Sequence, residues 1–171
     1  MPLLRELDSD ASDRLQTTRV SYSSKGALVV DRPTILVLED EPLIGLHVEG
    51  TLVEAGFNVA IATSCAEAET ILENLRPDAV VLDVDLSDGP CVAIAEKLVE
   101  RRIPFVVHSG YLSVDKVFAH GIAVQKPSNP ADIVAAVKAS KLFSDAKALG
   151  ITSTEIEEDT GSVSMKRCSM P

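Results

Sequence analysis

Tryptophan is absent from the chain, and aromatic residues of all kinds amount to 4%. A platform that stacks unpaired bases needs several exposed rings, so this composition argues against one. Basic residues are also scarce: 16 Lys and Arg stand against 26 Asp and Glu, for a formal net charge of -10. Such a chain repels the phosphates that a general nucleic-acid binder must neutralise. The three cysteines, Cys65, Cys91 and Cys168, are too widely spaced for a zinc pattern or a disulfide framework. No apolar run approaches the length needed to span a bilayer. The opening residues, MPLLRELDSD, carry acids where a signal peptide has a basic and then an apolar stretch. These absences set the expectation of a soluble, cytoplasmic protein with neither membrane nor nucleic acid among its partners.

Apolar residues make up 46% of the 171, enough for a hydrophobic core, and the length suits one domain with extensions. Charge is uneven along the chain. Residues 1 to 32 are balanced, with five basic and five acidic residues, whereas residues 33 to 143 hold eight against sixteen. That middle stretch also contains nearly all the apolar runs. Five of them are short and unbroken: Ile35–Leu38, Val59–Ala62, Ala79–Leu82, Phe105–Val107 and Ile122–Val124. Runs of about four with β-branched residues read as strands buried on both faces.

Helical patterns lie between the runs. Pro42 suits a first helical position, followed by Ile44, Val48 and Leu52, with Gly56 ending the segment. Ser64 and Glu67 form a capping-box pattern ahead of Ala68, Ile71, Leu72 and Leu75. A third pattern runs through Val92, Ala95, Leu98 and Val99, and a short, weak one spans Val114 to Ala119. The last opens at Asn129-Pro130 and carries Ile133, Val134 and Val137. Five strands alternating with five helices predict an α/β fold, a doubly wound five-stranded parallel sheet. The expected domain covers residues 33–143. Residues 1–32 read as a weakly structured extension, with one faint amphipathic helix at Leu3, Leu7 and Leu15 and a linker at Ser21–Gly26. Residues 144–171 read as an acidic flexible tail.

A doubly wound sheet binds ligands beyond the carboxyl ends of its strands. Glu39, Asp40 and Glu41 follow the first predicted strand, and Asp83 and Asp85 the third. His108, Ser109 and Gly110 follow the fourth, and Gln125, Lys126 and Pro127 the fifth. Taken singly, these are ordinary caps and turn residues. If the first and third strands are neighbours, however, Glu39, Asp40 and Asp83 converge and repel one another. A Mg2+ ion with oxygen ligands relieves that repulsion, and so does the Lys126 ammonium. With the Ser109 hydroxyl at the same rim, the set suits a phosphoryl group, whose charge needs such partners around it.

Four pieces, ILVLEDEP (35–42), VVLDVDLSDG (80–89), IPFVVHSGY (103–111) and VQKP (124–127), resemble the receiver domain of bacterial two-component response regulators. The resemblance covers residues 33 to about 141 and implies a flavodoxin/CheY-like (βα)5 fold with strand order 2-1-3-4-5. It implies that Asp83 is the phospho-acceptor, taking a phosphoryl group from a phosphohistidine on a sensor histidine kinase or phosphotransfer protein. Glu39, Asp40, Asp83 and the backbone carbonyl of Asp85 would hold Mg2+. Ser109 would be the switch hydroxyl and Lys126 the phosphoryl contact, followed by Pro127, often in a cis bond. The resemblance further implies a non-enzymatic signalling protein of the single-domain type, acting by phosphorylation-dependent contact with a downstream protein or by phosphorelay. The sequence departs from the pattern at Ala123, where many receivers carry a switch aromatic; Tyr111 is the candidate substitute. Two rival readings rest on the Asp83-x-Asp85 pair: a Mg2+-dependent phosphohydrolase of the haloacid-dehalogenase type and a toprim-like nucleotidyl-transfer domain. A third is a degenerate receiver that only binds.

Overall fold

The structure, a computed structural model, describes residues 19–22, 28–110 and 115–148. It divides into two units, residues 1–32 and 33–171. In the first, Arg19–Tyr22 and Leu28–Asp31 pair as an antiparallel hairpin, Val20 opposite Val30 and Tyr22 opposite Leu28. Of the linker expected over Ser21–Gly26, Ser21 and Tyr22 belong to the ladder, and the remainder lies outside the described residues. The signal passed over was the β-forming composition of both arms, Val and Tyr facing Leu-Val-Val. The helix expected around Leu3, Leu7 and Leu15 lies outside the described residues.

The second unit holds the parallel sheet. Its strands are β1 (Thr34–Leu38), β2 (Asn58–Ala62), β3 (Ala79–Leu82), β4 (Phe105–Ser109) and β5 (Ile122–Gln125). Their order is β2-β1-β3-β4-β5, all parallel. The α-helices are α1 (Pro42–Glu54), α2 (Cys65–Asn74), α3 (Val92–Glu100) and α4 (Pro130–Ala148).

Alternation along the strands fills both faces, as a period of two requires. Ile35, Val37, Ala79, Val81 and Val106 pack with Val48 and Leu52 of α1 and Ile133, Ala136 and Val137 of α4. Leu36, Leu38, Val80, Leu82, Phe105 and Val107 pack with Ala68 and Leu72 of α2 and Ile94, Ala95 and Leu98 of α3. One continuous apolar run therefore serves two cores.

The starts of α1 and α2 have local causes. Pro42 opens α1 with its φ already set. Gly56, at φ 92, turns the chain out of α1 towards β2 in a conformation glycine adopts without strain. The box at α2 forms with a shift: Ser64 accepts from the Glu67 N–H, while Glu67 takes the Thr63 N–H and hydroxyl. Asp88, from the loop after β3, accepts from the Cys65 and Ala66 N–H groups at the same end.

Two helical segments differ from expectation. The fourth helical segment is a 3-10 turn, Lys116–His120, rather than an α-helix. Phe118 alone is buried there, and Gly121 ends it against β4. The last helix passes position 143 and continues to Ala148, with Ser140 and Ala146 buried.

Candidate functional site

The strand order reverses between β1 and β3, and the acidic residues stand at that point. Leu38 and Leu82 are register partners, so Glu39 and Asp83 emerge side by side. The Asp83 N–H donates to the Leu38 carbonyl at 3.1 Å, and the Glu39 N–H to the Ala62 carbonyl at 3.0 Å. Each acid is thereby fixed by a backbone bond to its neighbouring strand. Asp40 completes a group in which one carboxylate oxygen from each of Glu39, Asp40 and Asp83 lies within 4.8 Å of the others.

Lys126 reaches this group from the far side of β4. Its N–H extends the ladder by donating to the Ser109 carbonyl at 2.9 Å. Its ammonium donates to Glu39 Oε2 at 2.5 Å and to Asp83 Oδ2 at 2.6 Å. Glu39 is 2% exposed, Asp83 12% and Lys126 15%. Burial opposes the lysine charge, but hydrogen bonds and charge from both carboxylates outweigh it and raise its pKa. Burial also raises the pKa of Glu39, with help from the Asp83 charge, and Lys126 offsets only part of this. The Lys126–Pro127 bond is cis.

Ser109 closes β4 and is buried. Asp85 behaves differently. It is exposed, in a two-residue strand (Asp85–Leu86) paired with Gly89–Pro90, and its carboxylate is outside the clustered group. Ala123 lies exposed in β5, and Tyr111 is outside the described residues.

The sequence placed His108 after the fourth predicted strand without giving it a role; the structure puts it inside β4. It is buried, 4% exposed, and shares a 2.9 Å hydrogen bond with Ser128 Oγ in the loop after Pro127. Burial, with a further push from Lys126, brings its pKa down to about 4, so it is neutral at pH 7. The available signal was position: a polar residue inside an otherwise apolar strand needs a partner.

The donor set fits Mg2+, since it consists of hard carboxylate oxygens converging beside a cation-stabilised pocket. Comparison with known proteins places the fold in a family. Residues 35–138 match the response regulator receiver domain. The chain belongs to that family. Receiver domains are signalling domains and generally not enzymes. This receiver is 36% identical over 117 residues to the transcriptional regulatory protein PrrA of Mycobacterium tuberculosis, covering 64% of this chain and 50% of that protein. It therefore spans about half the length of such curated relatives. A response regulator receiver protein from Sinorhizobium medicae superposes with a TM-score of 0.58 at 28% identity, over 68% of this chain and 99% of that one. The response regulator TrrA from Thermotoga maritima, solved in complex with Mg2+-BeF, gives a TM-score of 0.58 at 22% identity, over 63% and 97%. No helix among the described residues is long and apolar enough to cross a membrane.

Proposed function

We propose that this receiver accepts a phosphoryl group on Asp83 from the phosphohistidine of a sensor kinase or phosphotransfer protein. In this reading it signals by phosphorylation-dependent protein contact or by passing the group on. The supporting observation is the Lys126 ammonium held between Glu39 and Asp83 next to a three-carboxylate group. An Asp83 oxygen attacks phosphorus, the P–N bond breaks, and the histidine ring leaves with the bonding pair. Lys126 already contacts an Asp83 oxygen, so a phosphoryl group bonded there meets a cation in reach. Ser109 donates its hydroxyl to a phosphoryl oxygen. Glu39, Asp40, Asp83 and the Asp85 carbonyl would hold Mg2+, which neutralises phosphoryl charge when bound.

The phosphohydrolase reading is disfavoured because its second aspartate must act beside the nucleophile, whereas the Asp85 carboxylate stands exposed and apart. Toprim chemistry has no use for Lys126 inserted between the acids. A small phosphodonor tests the proposal. With acetyl phosphate and Mg2+, the chain should gain one phosphoryl group in a hydroxylamine-labile acyl phosphate, and excess chelator should abolish the gain. Equal labelling in chelator, or a hydroxylamine-resistant product, would contradict it.

A further inference from the structure

The loop after Asp83 is tied down at its base and at its tip. Two short strands, Asp85–Leu86 and Gly89–Pro90, pair antiparallel, with Ser87 and Asp88 as the turn between them. Val84 and Leu86 are buried in the apolar cluster that includes Ala68 and Leu72 of α2, whereas Asp85 between them is exposed. At the base, the Cys91 N–H donates to the Val84 carbonyl at 2.9 Å. Bonded and unbonded pairs alternate along an antiparallel ladder, so the next pair, Asp85 and Pro90, is an unbonded one. Pro90 has no N–H to offer in any case. The Asp85 carbonyl is therefore turned away from the partner strand rather than used in the ladder. At the tip, Asp88 accepts from the Cys65 N–H with Oδ1 at 3.0 Å and from the Ala66 N–H with Oδ2 at 3.1 Å. Each oxygen takes one of the first two amides of α2, donors that a helix start leaves unpaired. These bonds hold the Asp88 carboxyl below its ordinary range, so it is ionised at pH 7. The Cys65 thiol adds a 3.7 Å bond to the Gly89 carbonyl beside the turn. Because Ser64 already caps α2 through the Glu67 N–H, the two Asp88 bonds act chiefly on the hairpin.

We propose that Asp88 is a positioning residue for Mg2+: its carboxylate clamps the hairpin to the start of α2 and thereby fixes the Asp85 carbonyl as a ligand of the ion. This rests on the reading of Glu39, Asp40, Asp83 and the Asp85 carbonyl as the Mg2+ site. Mg2+ demands near-octahedral geometry at short distances, so a carbonyl on a loosely held turn is a poorer ligand than one already in place. Asp88 itself does not touch the ion. It acts three residues away, through the backbone of the turn. Groups that orient metal ligands in this way typically change metal affinity by about tenfold or more.

Mg2+ alone is the probe. Titration of the full chain, followed by amide NMR shifts, gives the dissociation constant. Asp88→Ala should raise it about tenfold. Asp88→Asn, which keeps the shape and one acceptor oxygen, should raise it less. Amide hydrogen exchange at Ala66 should quicken in Asp88→Ala, showing that the clamp is open. Ser64→Ala removes a bond at the same helix start without touching the hairpin, and it should bind Mg2+ as the wild type does. A constant for Asp88→Ala within about twofold of the wild type, or an equal weakening in Ser64→Ala, would overturn the proposal. Asp40→Ala tests the underlying reading separately: Mg2+ binding that this variant leaves unchanged would overturn the assignment of the acidic site itself.

Discussion

His108 shows how a single side chain ties the site to its support. It sits one residue before Ser109 and bonds to Ser128, just beyond Lys126 and Pro127, so it links the ends of β4 and β5. Its burial has a measurable consequence. In the unfolded chain the ring titrates near 6.5, whereas in the fold it titrates at about 4. Between those values the unfolded state binds more protons, so folding stability falls as pH drops through this window and is fully present above it. The loss by pH 4 should be about 3 kcal/mol, because each tenfold difference in proton affinity between the two states corresponds to roughly 1.4 kcal/mol. His108→Gln retains a polar group for Ser128 but cannot titrate. Denaturant unfolding from pH 7 to pH 4 should show the wild type losing about that much relative to the variant; parallel curves would refute the assignment. Asp83, Glu39, Asp40 and Lys126 were readable as candidates because acids and lysine at strand ends stand out against apolar runs. His108 stood beside them at the rim but received no role, because only its buried contact with Ser128 distinguishes it from an ordinary turn residue.

Among the elements, those legible in the sequence were those whose signal was periodic. The alternation in Ile35-Leu36-Val37-Leu38 feeds two helix layers, and α1 and α3 carry their buried residues at the expected spacing. The 3-10 turn was harder, because Lys116–His120 contributes one buried side chain and too short a stripe to define a period. The true end of α4 was equally faint: beyond Phe143 it buries the small residue Ala146, which adds little hydrophobic signal. Two substitutions test the local causes. Ser64→Ala removes the acceptor for the Glu67 N–H and should cost about 1 kcal/mol in unfolding free energy. An unchanged value would mean that Asp88 and Glu67 suffice to cap α2. Gly121 lies where an added Cβ would come within 2.5 Å of the Phe105 ring and 3.0 Å of its carbonyl. Phe105 is buried and cannot swing away, so Gly121→Ala should destabilise by about 1–3 kcal/mol. Full wild-type stability in that variant would show that β4 and the 3-10 turn separate easily.

At the scale of the whole chain, sequence and fold point to one end of the sheet. The neutral first 32 residues form their own unit, while the acidic middle folds into the receiver and concentrates three carboxylates at the strand-order reversal. Sequence alone placed those residues after particular strands, but their convergence depended on β1 lying beside β3, a pairing that no single segment encodes. The central claim is that this convergence makes Asp83 the phosphoryl acceptor. The direct measurement is site mapping of the acyl phosphate, by borohydride reduction and peptide mass spectrometry, in wild type and Asp83→Asn exposed to the same phosphodonor with Mg2+. The account predicts one modified residue, Asp83, in the wild type and none in the variant. Modification at another carboxylate in the wild type, or undiminished labelling of Asp83→Asn, would contradict it.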